Sequence, residues 1–479
     1  MEQFLAGVLK VVQTVNTYLT DYVLIILLVG VGILFTVKTR FVQVRCFGEG
    51  MKKVFGNIKL FGGKSESGMS SFQALTTAVA AQVGTGNIVG ASGAILIGGP
   101  GAIFWMWIIA FFGMATIYGE AVLAQKTRVI DPDGTVHGGP VYYIKKAFTG
   151  GFGKFLATFF SIATILALGF MGSMVQSNSI AEACNTALGI QPWIVGVVIA
   201  ALSAFIFIGG VQRIASVTEK LVPVMAVFFL VGGIVILGFN YREIPATFGM
   251  IFKYAFTPAA LIGGGVGAAI KSAISQGAKR GLFSNEAGMG STPHAHAMAN
   301  VEKPHDQGVV AVIGVFIDTF VVLTITSLVV ISSLYLGDGI LAGKYGESYI
   351  AATSGAEALI SKSSAMQMAY TDTLPAVMGN FGNIFVASCL LFFAFSTIVS
   401  WNLFGKINVQ YLFKNNKVAT TAYAVISVAF IFLGSVLKND LVWELTDFFN
   451  YLMVLPNVIA LFALSKTVGN EAKESRLKK

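Results

Sequence analysis

The segment Ala81-Gln82-Val83-Gly84-Thr85-Gly86-Asn87 sets two glycines, one hydroxyl and two carboxamides inside an otherwise apolar run. Two glycines within three residues favour an interruption of the helix. At bilayer depth the carbonyls and amides so freed are tolerated only where they line a cavity or are buried in protein. Free amides at a half-helix end suit a carboxylate. The carbonyls of Ala80, Gln82 and Val83, with the Asn87 side chain, suit a hard cation such as Na⁺. The same side chains could instead bond between helices, which would also satisfy them.

Other apolar runs carry polar groups too. Phe393-Ala394-Phe395-Ser396-Thr397-Ile398-Val399-Ser400-Trp401 holds two adjacent hydroxyls, and Thr397 and Trp401, four apart, share a helix face. The hydroxyls would add oxygens to a cation site or bond back to their own helix, and the indole would wall a pocket for a small side chain. Phe170, Ser173, Gln176 and Ser177 recur at helical spacing, with Gln176 a candidate ligand contact and Phe170 a candidate gate or wall. Asp318 and Lys271 are ionisable groups inside apolar runs, hence functional candidates and candidates to pair with each other. Glu120 reads as a structural ion-pair partner. A second cluster, Gly263-Gly264-Gly265-Val266-Gly267, is either a second break presenting the Gly264 and Gly265 backbone or a tight helix contact. The stretch Arg280–Gly288, followed by His294-Ala295-His296, does not match helical zinc spacing and reads as a hydrogen-bonded gate or hinge on the cytoplasmic side.

To hold these groups together, the chain must be an all-α membrane bundle. Of 479 residues, 55% are hydrophobic and 11% charged, against about 25% charged in a soluble domain. Runs of about 20 apolar residues predict eleven spans, near 20–38, 70–97, 102–125, 153–183, 193–210, 217–239, 255–282, 308–335, 377–405, 418–436 and 441–465. With the N-terminus outside, cytoplasmic segments and the span ends beside them carry 25 Lys and Arg and external segments six, which also places the C-terminus in the cytoplasm. The net charge of +9 follows from this topology and anionic lipid, not from nucleic acid. Val8, Leu9, Val12 and Val15 form one apolar face and predict an interfacial helix, and residues 1–20 lack the basic start of a secretory signal. The longest external loop, 337–374, predicts a partly helical cap. The two glycine clusters lie roughly 180 residues apart, and each opens a group of five spans, so the groups run antiparallel as inverted repeats. The expected organisation is 1–69 (interfacial helix, extra span, basic loop), 70–240 and 241–466 (five-helix repeats) and 467–479 (cytoplasmic tail).

Some classes of function are disfavoured. Gly84-x-Gly86 is not followed by a nucleotide fingerprint and no phosphate-binding loop occurs, so ATP is not expected. Cys46, Cys184 and Cys389 lie far apart and read as small residues of a packed interior. No nucleophile–base pair or metal set points to an enzyme, and no organic cofactor is expected. An ion channel would need a continuous polar stripe, whereas these polar residues cluster at two or three depths.

Gly98-Gly99-Pro100-Gly101-Ala102-Ile103-Phe104-Trp105-Met106-Trp107, continuing to Gly113, resembles the signature of the alanine/glycine:cation symporter family. Gln82–Asn87 and Arg280–Gly288 are similar to two further blocks of that family, and the likeness runs over nearly the whole chain. The resemblance implies a prokaryotic inner-membrane symporter of alanine or glycine, driven by Na⁺ or in some members H⁺. It also implies the five-plus-five inverted repeat of the leucine-transporter fold, with two discontinuous helices. Gln82, Gly84, Thr85, Gly86, Phe170, Gln176, Gly264, Gly265, Thr397 and Trp401 are then the expected substrate contacts. By the same resemblance Ala80, Val83, Phe393, Ser396 and Thr397 would hold one sodium, with Asn87 and Gln82 contacting a second ion or the substrate. Thr85 departs from the wider fold, which often has an apolar residue there, and leaves that second site open. H⁺ coupling is the rival mechanism; it needs a titratable group at the site, and Asp318 is the one carboxylate placed deep in a span. The expected partners are the amino acid, Na⁺ and the lipid bilayer.

Overall fold

The computed structural model of the protein describes residues 2–56, 68–132, 134–257, 266–354, 358–437 and 439–477. Its first span, α1 (Gly7–Lys38), is joined through a short basic segment to an amphipathic helix, α2 (Phe47–Phe55). The chain then runs through α3 (Ser71–Gln82), α4 (Gly86–Gly98), α5 (Ala102–Thr127), α6 (Gly150–Leu188), α7 (Pro192–Ile208) and α8 (Gly210–Phe239). After a connecting helix, α9 (Ile244–Phe256), come α10 (Val266–Asn285), α11 (Pro293–Met298), α12 (Pro304–Leu334), α13 (Phe381–Leu412), α14 (Lys417–Val436) and α15 (Asp440–Ala463). Among the described residues, eight helices are long and apolar enough to cross a membrane, and a ninth span is the pair α3–α4, bent by 46°. The expected spans at 193–210 and 255–282 correspond to a shorter apolar helix, α7, and to the more polar α10.

Burial separates the helices by role. The most apolar windows of α12 and α13 are 67% and 72% buried, those of α8 and α14 only 28%. The first pair therefore forms the centre. The second pair shows apolar side chains such as Val224 and Val425 outward, as a lipid-facing surface requires. Local punctuation follows the sequence: Pro192 and Pro304 begin helices, where a missing amide costs nothing, and Gly189, at φ 67°, ends α6 in the left-handed region.

Three ties fix the broken helices in this frame. Ser70 and Gln73 form a reciprocal capping box at the start of α3, and the Gln73 amide nitrogen reaches Glu219 of α8 at 3.0 Å. A two-residue parallel bridge pairs Met69 with Ala299 and Ser70 with Asn300, so the entry to α3 and the exit from α11 share one side. At the far end of α4, Tyr335 and Tyr349 donate to the Ile95 carbonyl at 3.3 Å each, and Tyr349 to Leu96 at 2.9 Å. Tyr349 belongs to the 337–374 segment, which carries helices Glu347–Thr353 and Ala365–Thr373 and is the partly helical cap read from sequence.

Three expectations change. The helix containing Val8–Val15 runs through a widened turn at Leu19–Leu24 into the span without stopping, so it is the leading part of α1 rather than a separate interfacial element. Lys271 is not buried against Asp318; it is half-exposed and pairs with Asp21 of α1 at 2.9 Å. Lys279 and Arg280, expected in a cytoplasmic segment, line one cavity with Lys362, expected in an external one, so those two expectations do not hold together.

The glycine of the Pro100-Gly101 turn now has a physical reason. A Cβ on Gly101 would lie 2.1 Å from the Tyr254 backbone of α9. Gly101→Ala is expected to cost about 1–3 kcal/mol and to lower the melting temperature of the detergent-purified protein; a variant that melts with the wild type contradicts this packing.

Candidate functional site

Helix α3 ends at Gln82, and Val83 (φ −80°, ψ 87°) turns the chain out of the helix. The Asn87 amide then bonds to the Gly84 carbonyl at 3.2 Å, which leaves the Val83 carbonyl off the helical ladder, while the Val83 amide still donates to Val79 O at 2.7 Å. The freed amides face side-chain oxygens: Gly84 N–H donates to Asn87 Oδ1 at 3.0 Å, and Thr85 N–H to Gln176 Oε1 at 3.1 Å. A carboxylate presents the same kind of acceptor. Gly84 has no room for a side chain, because a Cβ would lie 2.5 Å from Thr397 Oγ1 and 3.1 Å from Gln176 Oε1.

The second discontinuity lies between α10 and α11. Of the glycine cluster expected to make it, Gly263, Gly264 and Gly265 fall outside the described residues, and Gly267 lies inside α10. The observed break is 286–292, where Glu286, Gly288 and Gly290 have φ of 57°, 88° and 83°. Its amides are gathered by Glu120, whose carboxyl oxygens accept from Gly288 N–H and Gly290 N–H at 3.0 Å each and from Asn457 Nδ2 at 2.7 Å. Glu120 was expected in an ion pair; it serves instead as the acceptor for a broken backbone. The histidines beyond the break are packing elements. His294 stacks against Phe160 and Phe404 and meets Ser291 O and Asn408 Nδ2, while His296 Nδ1 meets Gln307.

The two breaks touch. Gln82 Nε2 donates to the Asn285 carbonyl at 2.8 Å, and a Cβ on Gly86 would lie 2.9 Å from the Phe283 ring. Asp318, in a widened turn of α12 (Phe316–Leu323), ties both. It accepts from Asn87 Nδ2 at 2.6 Å, from Ser284 Oγ at 2.9 and 3.1 Å, and from Thr319 Oγ1 at 2.8 Å. Widened turns of this kind recur at functional sites because they re-aim side chains.

On the other face of α3, α13 supplies hydroxyls. Thr397 Oγ1 lies 2.8 Å from Ala80 O and 3.1 Å from Phe393 O, and Ser396 Oγ lies 3.4 Å and 2.8 Å from the same two carbonyls. Four oxygens from two helices thus converge beside Val83. The hydroxyls donate here, and a rotation about Cβ–O would turn their lone pairs toward a cation. Near the break, Gln82 Oε1, Thr85 Oγ1, Gln176 Nε2 and Ser400 Oγ are buried without a hydrogen-bond partner among the described residues. Buried polar atoms are seldom left so.

Two expected contacts stand differently from the reading. Trp401 is buried, but its indole donates to Glu286 Oε1 at 2.6 Å and its ring packs on Gly172 and edge-on to Phe283. Phe283 therefore touches both Trp401 and the space at Gly86. Phe170 stacks on Phe430 and leans on Tyr423 of α14, and these are its ring contacts among the described residues. Sequence reasoning missed Phe283, Ser284 and Thr319, whose roles depend on where α10 breaks. It also missed the layer above them, where Asp447 of α15 meets Lys279 at 2.8 Å and Arg280 at 3.3 Å, with Arg280 over Trp443 and Trp443 against Phe283.

Comparison with known proteins gives a consistent result. The profile of the sodium:alanine symporter family matches residues 5–478. The sodium/alanine symporter AgcS of Methanococcus maripaludis is 40% identical over 97% of this chain and 96% of its own. The putative sodium/proton-dependent alanine carrier YrbD of Bacillus subtilis is 39% identical over 95% of this chain and 90% of its own. The crystal structure of MhsT in complex with L-phenylalanine has a TM-score of 0.57 at 14% identity, covering 86% of this chain and all of that one. At that identity the likeness speaks for the leucine-transporter-like fold.

Glu120→Gln keeps one acceptor oxygen and turns an N–H toward the amides of the second break. An opposed amide is worth about 1–1.5 kcal/mol, so hydrogen exchange across 286–292 is expected to speed up about tenfold. Unchanged exchange there would show that Glu120 does not hold the break.

Proposed function

The chain belongs to the sodium:alanine symporter family, and on that footing we propose that it carries small neutral amino acids, alanine and glycine, together with Na⁺. It is a multi-pass membrane transporter and not an enzyme. The observation that carries the ion reading is the meeting of the Ala80 and Phe393 carbonyls with the Ser396 and Thr397 hydroxyls at the edge of the first break. Neutral oxygens gathered in a dry site suit a hard monovalent cation. Val83 completes this set.

The substrate reading rests on the amides of Gly84 and Thr85. Asn87 and Gln176 hold these amides with carboxamide oxygens, and the substrate carboxylate takes that position when Gln176 turns aside. Gln82, Gly86 and Thr397 border the same space, and Phe283, backed by Trp401, closes it against large side chains. Asp318, Asn87, Ser284 and Thr319 form a second cation position beside the carboxylate. A cation there and a carboxylate at Gly84 each strengthen the other's binding. In the expected orientation the Lys279–Arg280–Asp447 layer lies on the external side and the Met69–Ala299 bridge on the cytoplasmic side. Alternating access opens one and then the other, in the inner membrane of a prokaryotic cell, with no ATP involved.

One observation favours a second reading. Asp318 is a carboxyl group placed directly on Asn87, so the second position would accept a proton as readily as a metal ion in an H⁺-coupled member. Reconstitution separates the two. Proteoliposomes with an inward Na⁺ gradient at equal pH are expected to accumulate labelled alanine, and those with only a pH gradient are not; the opposite pattern removes the sodium reading. In the same vesicles Thr397→Ala is expected to raise the half-saturating Na⁺ concentration roughly tenfold, about 1.4 kcal/mol, and an unchanged sodium dependence takes Thr397 out of the ion site.

A further inference from the structure

Cys46 is the N-cap residue of α2, Glu49 lies in its first turn, and His305 follows Pro304 at the start of α12. Cys46 and Glu49, three apart on one helix, share a face. Their Sγ and carboxyl oxygen, with a ring nitrogen of His305, all lie within 4.8 Å of one another. We propose that these three residues bind a divalent transition-metal ion, Zn²⁺ in the first instance, and that the bound ion clamps α2 to α12 and slows transport. The clamp rests on the transport reading above; the binding site does not.

The donor set is the first argument. Thiolate, imidazole and carboxylate are the three ligand types that Zn²⁺ takes, and three protein ligands leave a fourth position for water. Geometry is the second. Two ligands of a tetrahedral Zn²⁺ at roughly 2.0–2.1 Å stand about 3.3 Å apart, and His305 Nε2 lies 3.5 Å from Glu49 Oε1. The thiol needs only a side-chain adjustment to join them. Third, the histidine is already oriented: the Tyr118 hydroxyl of α5 lies 2.8 Å from Nδ1. A protonated Nδ1 thus has an acceptor while Nε2 keeps its lone pair for the metal, the outer-shell arrangement that metal-bound histidines use. Glu49 is partly open, which gives an ion a way in, whereas Cys46 and His305 are 3% exposed. The neighbouring charges on α2 and α12, Lys53 and Asp306, are engaged with each other at 3.1 Å.

The position gives the ion leverage. Gly50 brings α2 onto the α12 backbone so closely that a Cβ would lie 2.7 Å from Val309 O. α2 also contributes Met51, Val54 and Phe55 to an apolar cavity of about 440 Å³, shared with Phe72, Leu75 and Val79 of α3 and with Val83. Opening the Met69–Ala299 side requires α3 to move along that wall. An ion bridging Cys46–Glu49 to His305 fixes the wall.

The test uses chelator-washed full-length protein titrated with Co²⁺ as a spectroscopic stand-in, then with Zn²⁺ in competition. The expected result is a thiolate-to-metal charge-transfer band that saturates at one equivalent, is displaced by Zn²⁺, and persists in Cys184→Ser and Cys389→Ser. Cys46→Ser should abolish the band, and His305→Gln should weaken Zn²⁺ binding by at least about tenfold. Tyr118→Phe, which keeps every ligand, should weaken it by roughly the same factor through loss of orientation. A wild-type spectrum without the band overturns the site whether or not the variants fold; so does a band that survives Cys46→Ser. In proteoliposomes, Zn²⁺ on the α2 side should slow alanine uptake by wild type and not by Cys46→Ser, and equal uptake with and without Zn²⁺ overturns the clamp while leaving the sodium experiment untouched.

Discussion

A helix interrupted at bilayer depth must find partners for the amides and carbonyls it releases, and the centre of this protein is organised by that requirement. The first break gives its amides to Asn87 and Gln176, the second to Glu120. Gln82 spans from one break to the carbonyl of the other, and Asp318 collects the donors left between them. Each partner comes from a different helix, so satisfying the backbone also fixes the relative positions of α3, α5, α6, α10 and α12. Removing one partner would leave a buried polar group unmatched, which costs more than the bond itself contributes.

The same arrangement makes the junction responsive to ligand. The acceptors now on the Gly84 and Thr85 amides are side chains, so an amino-acid carboxylate can replace them without exposing backbone to hydrocarbon. The carbonyls and hydroxyls beside Val83 donate and accept among themselves, and a cation would reorganise them by hydroxyl rotation rather than by moving helices. Asn87 bonds to both the Gly84 amide and Asp318, so a cation beside Asp318 and a carboxylate at Gly84, as proposed above, would each feel the other. A clamp at Cys46, Glu49 and His305 acts away from this junction, on the wall along which α3 must move.

What the sequence revealed depended on whether the cause was local. Gly84 and Gly86 announce the first break because the weakness lies in the residues themselves, and Gln176, Ser396 and Thr397 are conspicuous as polar groups in apolar runs. Asp318 stood out as a deep carboxyl, but two of its partners, Asn87 and Ser284, come from other helices. The triple glycine, expected to open a second break, lies outside the described residues, and the break at 286–292 was not read from the sequence because Glu120 on α5 holds its amides. Lys271 was misread for the same reason: its partner, Asp21, sits 250 residues earlier on a span extended by the helix taken as interfacial. Cys46 and His305 are 259 positions apart, and only the packing of α2 on α12 brings them together. Family resemblance anticipated the fold, while the contacts that Phe283 makes with Gly86 and Ser284 with Asp318 depended on how the end of α10 packs.

We propose that one junction of two broken helices binds Na⁺ and an amino-acid carboxylate interdependently. Equilibrium binding of labelled alanine to the purified protein, measured as Na⁺ is varied at constant pH and ionic strength, tests it most directly. Saturating Na⁺ is expected to tighten alanine binding by about tenfold or more, and saturating alanine to tighten Na⁺ binding by the same factor. Alanine affinity that is identical in Na⁺ and in a Na⁺-free choline medium would contradict it.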